Sequence, residues 1–109
     1  MITISINDQF YTEKSKILQA LYQVIDPELF INIVDLGLIY DIAFSENNIT
    51  IEMTLSTPHC PLGDAITFGV KNVLSVDFPN HEVTVHLVWE PKWAFEMMTD
   101  TGKKLLGIT

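Results

Sequence analysis

The single cysteine of this chain is its first candidate for chemistry. Cys60 lies in a loop bracketed by Pro58 and Pro61, and a helical pattern begins directly after that loop. A helix N-terminus favours the thiolate and lowers the pKa of the thiol, and the thiolate is the form that binds iron or attacks an electrophile. A free cysteine is also a small apolar side chain suited to a core. Cys60 is therefore either a reactive centre or a packing residue.

Two neighbours of Cys60 offer supporting groups. His59 could act as a second soft ligand or an acid–base partner, although adjacent side chains in an extended loop point in opposite directions. Thr57 could hydrogen-bond into the loop. Four-ligand zinc sets are absent from the sequence, and an iron–sulfur cluster needs about four ligands. The missing ligands would come from a second copy, a partner protein or a small thiol, and a homodimer is the simplest geometry.

Asp26 and Glu28 flank Pro27 and form a pair of carboxylates. Such a pair can bind a metal or transfer protons, but Asp-Pro is also an ordinary way to leave a helix. We expect both carboxylates at the surface, on the same side of the fold as Cys60. The sequence contains no Ser-His-Asp order, glycine-rich phosphate loop or HExxH motif.

The charge of the chain excludes nucleic acid as a partner. Fourteen acidic residues stand against six lysines, there is no arginine, and the net charge is −8. No basic residue falls between Lys16 and Lys71, so the chain would repel a phosphate backbone. An acidic middle suits protein partners or cations, or serves solubility alone.

Composition limits the class of protein further. With 48% apolar and 18% charged residues, the chain is neither disordered nor a coiled coil. It has no apolar run near the roughly 20 residues of a membrane span, and its start lacks the basic region of a secretory signal. One cysteine suits a reducing cytoplasm.

The length of 109 residues fits one domain. The first predicted element is a helix over 12–25 with Thr12 as N-cap, followed by strands over 38–44 and 49–55 that are joined by the loop 45–48. A second helix begins at Leu62, and a third strand spans 83–89, with His81 and His86 on its exposed side. The last element is a helical segment over 93–106 that ends at Gly107. This α-β-β-α-β-α order predicts an α+β two-layer sandwich, with helices on one face of a small mixed sheet.

The N-terminal segment, residues 1–11, precedes the predicted domain over 12–109. Ile2, Ile4 and Ile6 alternate with polar residues. This pattern is typical of an added edge strand, or of a loosely held tail.

Several stretches together carry a family resemblance. They are Val24–Leu29, Ile31–Tyr40, Met53–Asp64, Val88–Pro91 and Met97–Met98. In this order and spacing they resemble the metal–sulfur cluster biosynthetic (SufT/PaaD-like) family over residues 12–108. The resemblance implies an iron–sulfur cluster assembly domain-like fold and a role in maturing iron–sulfur proteins.

The resemblance also implies roles for individual residues. The reactive cysteine of the family corresponds to Cys60, its acidic pair to Asp26 and Glu28, and its loop threonine to Thr57. Three positions depart from the pattern. Phe30 stands where the family usually has glycine, which predicts an altered backbone or an exposed aromatic ring. His59 replaces a small residue, and Lys92 replaces a frequent proline.

The leading hypothesis is an adaptor or transient carrier that acts through Cys60. It would hold iron or a cluster only transiently and would contact the assembly machinery and client apoproteins, but neither nucleic acid nor membrane. The alternatives are a thiol-dependent enzyme and a purely structural interaction module. The absence of a resolving cysteine and of arginine argues against the enzyme.

Overall fold

Three helices and a three-stranded sheet form the part of the chain that is described, residues 2–56 and 63–107 of a computed structural model. The elements are α1 (Tyr11–Leu21), β1 (Ile39–Phe44), β2 (Asn48–Met53), α2 (Gly63–Asp77), β3 (Glu82–Leu87), a 3₁₀ turn (Phe95–Met97) and α3 (Asp100–Leu106). The predicted α+β class and element order are confirmed. Within these residues no helix has the length and apolar character needed to cross a membrane.

The sheet is mixed, with the strands in the order β1-β2-β3. β1 and β2 are antiparallel, whereas β2 and β3 are parallel, and α2 supplies the crossover that a parallel pair requires. α1 packs on α2 and β1, and α2 packs on β3. Ile49, Ile51 and Met53 of β2 are fully buried, as their alternation predicts. The helices and sheet therefore form two layers around one core.

A β-bulge changes the predicted orientation of side chains in β1. The alternation over 38–44 predicts an inward-facing Tyr40. Tyr40 is only half-buried and Ile39 is buried instead, because the pairing register with β2 shifts between Ile39 and Asp41. A bulge inserts one extra residue and so exchanges the two faces of a strand.

α1 ends earlier than the predicted boundary at residue 25. The amides of Tyr22, Gln23 and Val24 donate to carbonyl oxygens three residues before them, at distances of 3.3, 3.0 and 3.1 Å. These bonds tighten the end of the helix into a 3₁₀-type turn. The apolar stripe continues through Val24 although the α-helix stops at Leu21.

The N-terminus of α1 is held by Asp8 rather than by the predicted cap, Thr12. Phe10 occupies the N-cap position and its side chain makes no capping bond. Asp8 Oδ1 accepts a hydrogen bond from the Phe10 amide at 2.8 Å, and Asp8 Oδ2 accepts one from Lys14 Nζ at 2.8 Å. Residues 2–10 lie in no strand, and Ile2 and Ile4 are partly buried against the core.

The stabilisation supplied by Asp8 is expected to depend on pH. The Lys14 side chain and the Phe10 amide hold the pKa of Asp8 below its ordinary value of 3.8. Because the pKa is lower in the folded state, this stabilisation is present above the unfolded-state pKa and is lost as pH falls through the folded-state pKa. Urea titrations should show Asp8→Asn to be less stable than wild type at pH 7. The difference should vanish near pH 2; an equal difference at both pH values would contradict this origin.

The C-terminal segment packs against the residues before β1 at two glycines. A Cβ on Gly37, whose φ is 76°, would collide with the Met97 carbonyl oxygen. A Cβ on Gly102 would lie 2.6 Å from the carbonyl oxygen of Asp35. At both glycines the backbone of the C-terminal segment therefore contacts the backbone before β1, and the contact leaves no room for a side chain larger than that of glycine.

Gly102→Ala should destabilise the protein although alanine is the better helix former. We expect a loss of about 1–3 kcal/mol, because the new methyl group overpacks the contact with Asp35. Thr101→Ala, on the exposed side of the same helix, should change the free energy of unfolding by less than about 0.5 kcal/mol. Chemical denaturation measures both variants, and a Gly102→Ala protein as stable as wild type would refute the close contact.

Candidate functional site

Asp26 organises the turn between α1 and β1. Its Oδ1 accepts hydrogen bonds from the amides of Glu28 at 2.8 Å and Leu29 at 3.1 Å. Its backbone closes the turn, since the Phe30 amide donates to the Asp26 carbonyl at 2.8 Å and the Asp26 amide donates to the Ile31 carbonyl at 2.9 Å. Residues 26–31, called here the Asp26 turn, thus form a single capped helical turn.

The prediction that both members of the carboxylate pair lie at the surface is wrong for Asp26. Glu28 is exposed, but Asp26 is only 1% exposed because its carboxylate points back into the turn that it caps. Among the described residues, the buried Asp26 Oδ2 has no hydrogen-bond partner. A buried oxygen left without a donor is uncommon and calls for a functional or solvent partner.

Phe30 ends the Asp26 turn in the left-handed region, with φ of 59°. This conformation costs about 1–2 kcal/mol for a residue with a side chain. Phe30 is also 80% exposed, which confirms the expected exposed aromatic ring at this departure from the family pattern.

Asp35 is a second buried carboxylate, and its role was not predicted from the sequence. Its Oδ2 accepts from Asn32 Nδ2 at 2.7 Å and its Oδ1 accepts from Thr99 Oγ1 at 2.8 Å. The Thr99 amide donates to the Asp35 carbonyl at 2.9 Å. Burial, and then the negative charge of Asp35, raise the pKa of Tyr22 above its usual value. The Asn32-x-x-Asp35 spacing before Gly37 is the signal that indicates such a turn.

The segment after β3 lies over the residues that lead into β1. Trp93 Nε1 donates to the Leu36 carbonyl at 2.7 Å, and the Tyr40 hydroxyl donates to the Pro91 carbonyl at 2.7 Å. Burial, and then the charge of Glu90, raise the pKa of Tyr40. These bonds fix the residues that follow β3 against the 36–40 segment.

A cavity of about 290 Å³ opens where the parallel strands β2 and β3 end. It is lined by Thr54, Leu55, Ser56, Trp89, Glu90, Lys92 and Trp93. In sequence, Ser56 comes four residues before Cys60. Ser56 therefore places one wall of this recess shortly before the predicted reactive loop in the chain.

Three predicted site residues, Thr57, His59 and Cys60, lie outside the described residues. The predictions that Cys60 is accessible and that it shares one side of the fold with Asp26 and Glu28 stay predictions. Over 2–56 and 63–107, no group of three or more His, Cys, Asp or Glu side chains is arranged to hold a metal ion.

His81 is less exposed than expected. Its ring lies 4.9 Å from that of Phe44 and 5.6 Å from that of Phe78, between centroids. The Nε2 atom donates to the Ser45 carbonyl at 3.1 Å, which joins the β1–β2 hairpin loop to the start of β3. His86 is exposed, as predicted.

Comparison with known proteins defines the family. Residues 14–87 match the family described as iron–sulfur cluster assembly protein. The chain belongs to this family, which confirms the resemblance noted in its sequence.

Two relatives have names that describe a role. The chain is 45% identical over 97 residues to the Fe–S protein maturation auxiliary factor YitW of Bacillus subtilis, covering 87% of this chain and 94% of that protein. It is 40% identical over 87 residues to the Fe–S protein maturation auxiliary factor SufT of Staphylococcus aureus, covering 79% and 99%.

Solved structures share the fold. A DUF59 domain of unknown function from Bacillus anthracis matches with a TM-score of 0.84 and 42% identity, over 90% of this chain and 94% of that chain. A Mycobacterium tuberculosis protein described as associated with [Fe–S] complex assembly and repair matches with a TM-score of 0.53 and 30% identity, over 99% and 98%.

Two substitutions of Asp26 separate its capping role from any other role. Asp26→Ala removes the acceptor of two amides and should lower the free energy of unfolding by about 1–2 kcal/mol. Asp26→Asn keeps an oxygen acceptor and should lower the free energy of unfolding much less. The control Glu46→Ala, in the exposed hairpin loop, should change the free energy of unfolding by less than about 0.5 kcal/mol. Equal stability of Asp26→Ala and wild type in urea would contradict the cap.

Proposed function

We propose that this protein assists the maturation of iron–sulfur proteins as an adaptor or transient carrier. The observation that carries this proposal is membership of the iron–sulfur cluster assembly protein family over residues 14–87. Two relatives that cover most of this chain are named Fe–S protein maturation auxiliary factors, which supports an assisting role rather than catalysis of a metabolic reaction.

Cys60 is the residue proposed to receive iron or a cluster. Its proline-bracketed loop and the helical pattern after it favour a thiolate. The cluster is cargo, and one thiolate supplies only one of about four ligands. The remaining ligands are proposed to come from a second copy, a partner protein or a small thiol. His59 and Thr57 support the loop.

Asp26 and Glu28 are proposed to support the same site. The buried Asp26 Oδ2 accepts no hydrogen bond among the described residues, so an acceptor is available there for a donor or a cation. Glu28 adds a second carboxylate at the exposed side of the Asp26 turn.

The proposed setting is the cytoplasm. Assembly components and client apoproteins are the proposed partners, and metal-dependent pairing of two copies is proposed at Cys60. The assembly domain is proposed to span residues 12–109, with residues 1–11 as an extension. The absence of arginine and the net charge of −8 argue against nucleic-acid binding.

Anaerobic reconstitution tests the role of Cys60. Wild type, Cys60→Ala and the control His86→Ala, which alters an exposed histidine of β3, are incubated with ferrous iron, sulfide and glutathione, and bound iron and visible absorption are measured. Wild type and His86→Ala should take up iron, whereas Cys60→Ala should lose most of the uptake because the thiolate ligand is gone. Native mass spectrometry of the same samples reports metal-dependent dimers.

Two results would contradict the carrier role. Equal iron uptake by Cys60→Ala and wild type would exclude the sulfur as the ligand. A wild type that takes up no iron with thiol present would exclude a carrier and leave a docking adaptor. The assisting role itself fails if deletion of the gene leaves a [4Fe–4S]-dependent dehydratase fully active in cells.

A further inference from the structure

Phe30 combines a high exposure with an unfavourable backbone conformation. Its φ of 59° lies in the left-handed region, where Cβ crowds the following carbonyl oxygen and glycine is preferred. A bulky residue there is an outlier. Because the residue is 80% exposed, its ring contributes little to the core. The fold alone therefore gives no reason for an aromatic side chain at this position.

The backbone around Phe30 is held firmly. The Phe30 amide donates to the Asp26 carbonyl at 2.8 Å, and Ile25 forms a β-bridge with Asn32 across the base of the turn. The residue after Phe30, Ile31, is 3% exposed and belongs to the core. The ring thus projects from a preorganised turn, and a contact made by it would lose little conformational entropy.

We propose that Phe30 is the anchor of a docking surface for another protein, whose contact site is an apolar pocket bordered by Lys or Arg side chains. Exposed aromatic side chains are typical energetic anchors of protein interfaces. Ile25, at the base of the turn, is 50% exposed and extends the apolar contact.

Charge identifies the kind of partner. The chain carries a net charge of −8, and no basic residue occurs between Lys16 and Lys71, the stretch that contains Phe30. A basic border on the partner complements this charge and speeds association, whereas a second copy of this chain would be repelled wherever no cation neutralises the charge. That the partner belongs to the iron–sulfur assembly machinery rests on the proposed function.

The test compares stability with binding in one set of variants. Phe30→Gly and Phe30→Asn remove the ring and leave residues that tolerate the left-handed region, and Phe30→Trp keeps an aromatic anchor. Ile6→Gly is the matched control, because Ile6 is 79% exposed and lies in a different segment. The probes are the purified cluster-scaffold protein and one apo-client of the same organism, with affinity measured by calorimetry.

Phe30→Gly should raise the Tm by about 4 °C through relief of the backbone conformation. It should also weaken binding to at least one probe by about tenfold or more. Phe30→Asn should weaken binding similarly, while Phe30→Trp and Ile6→Gly bind like wild type. Greater stability together with weaker binding is a result that a purely structural role for Phe30 would not produce.

Binding of Phe30→Gly and Phe30→Asn within twofold of wild type would overturn the proposal, as would a wild type that binds neither probe. If wild type is a dimer and Phe30→Gly is a monomer, the proposal is also overturned, because the Phe30 surface would then bind a second copy of this chain. Complementation of a deletion strain separates the two proposals. If deletion impairs an iron–sulfur dehydratase and Phe30→Gly restores it fully, the docking surface fails and the proposed function stands.

Discussion

The buried carboxylate of Asp35 provides the interactions on which the arrangement of the segment before β1 and of α3 depends. It accepts hydrogen bonds from Asn32 on one side and Thr99 on the other, and its own carbonyl accepts the Thr99 amide. Thr99 in turn accepts a hydrogen bond from the Gly102 amide and so caps α3. One residue therefore joins the segment before β1 to the last helix. Hydrogen bonds to a charged group contribute about 1.5–3 kcal/mol each, and an unpaired buried charge is strongly destabilising.

Asp26 has a related role at the other end of the same segment. Both residues use negative charge to satisfy backbone or side-chain donors inside the fold, so part of the acidity of the chain is structural. The exposed ring of Phe30 and the exposed carboxylate of Glu28 are both presented by the turn that Asp26 caps. Asp26 therefore fixes the backbone from which the exposed ring of Phe30 projects.

Periodicity was sufficient to predict the class and order of the elements, because one buried face repeats every two residues in β2 and along the helical stripe in α1. It failed at the bulge after Ile39, since no local pattern marks an inserted residue in a strand. The expectation that Asp26 lies at the surface came from its position between a helix and the sheet, and it was wrong because capping by a buried side chain depends on contacts that close only in the folded turn. The bond between Asp35 and Thr99 joins residues far apart in the chain, beyond the reach of a local pattern.

For the candidate site, sequence motifs identified the family, while the roles of Asp26 and Glu28 at that site stay predictions. The aromatic environment of His81 was missed because Phe44 ends β1 whereas Phe78 directly follows α2, so the two rings meet only in the folded chain. The cavity at the ends of β2 and β3 was missed for the same reason, as Trp89 and Trp93 join Leu55 only in the folded chain.

Native-state hydrogen exchange tests most directly whether the buried carboxylates make the 26–37 segment rigid. The amides of Phe30 and Leu36 and that of Thr99 donate within this framework. We expect them to exchange at rates close to those of the β2 amides, because opening them requires the Asp26 and Asp35 contacts to break together. Exchange of these amides at the rate of an unfolded chain, with β2 still protected, would contradict the framework.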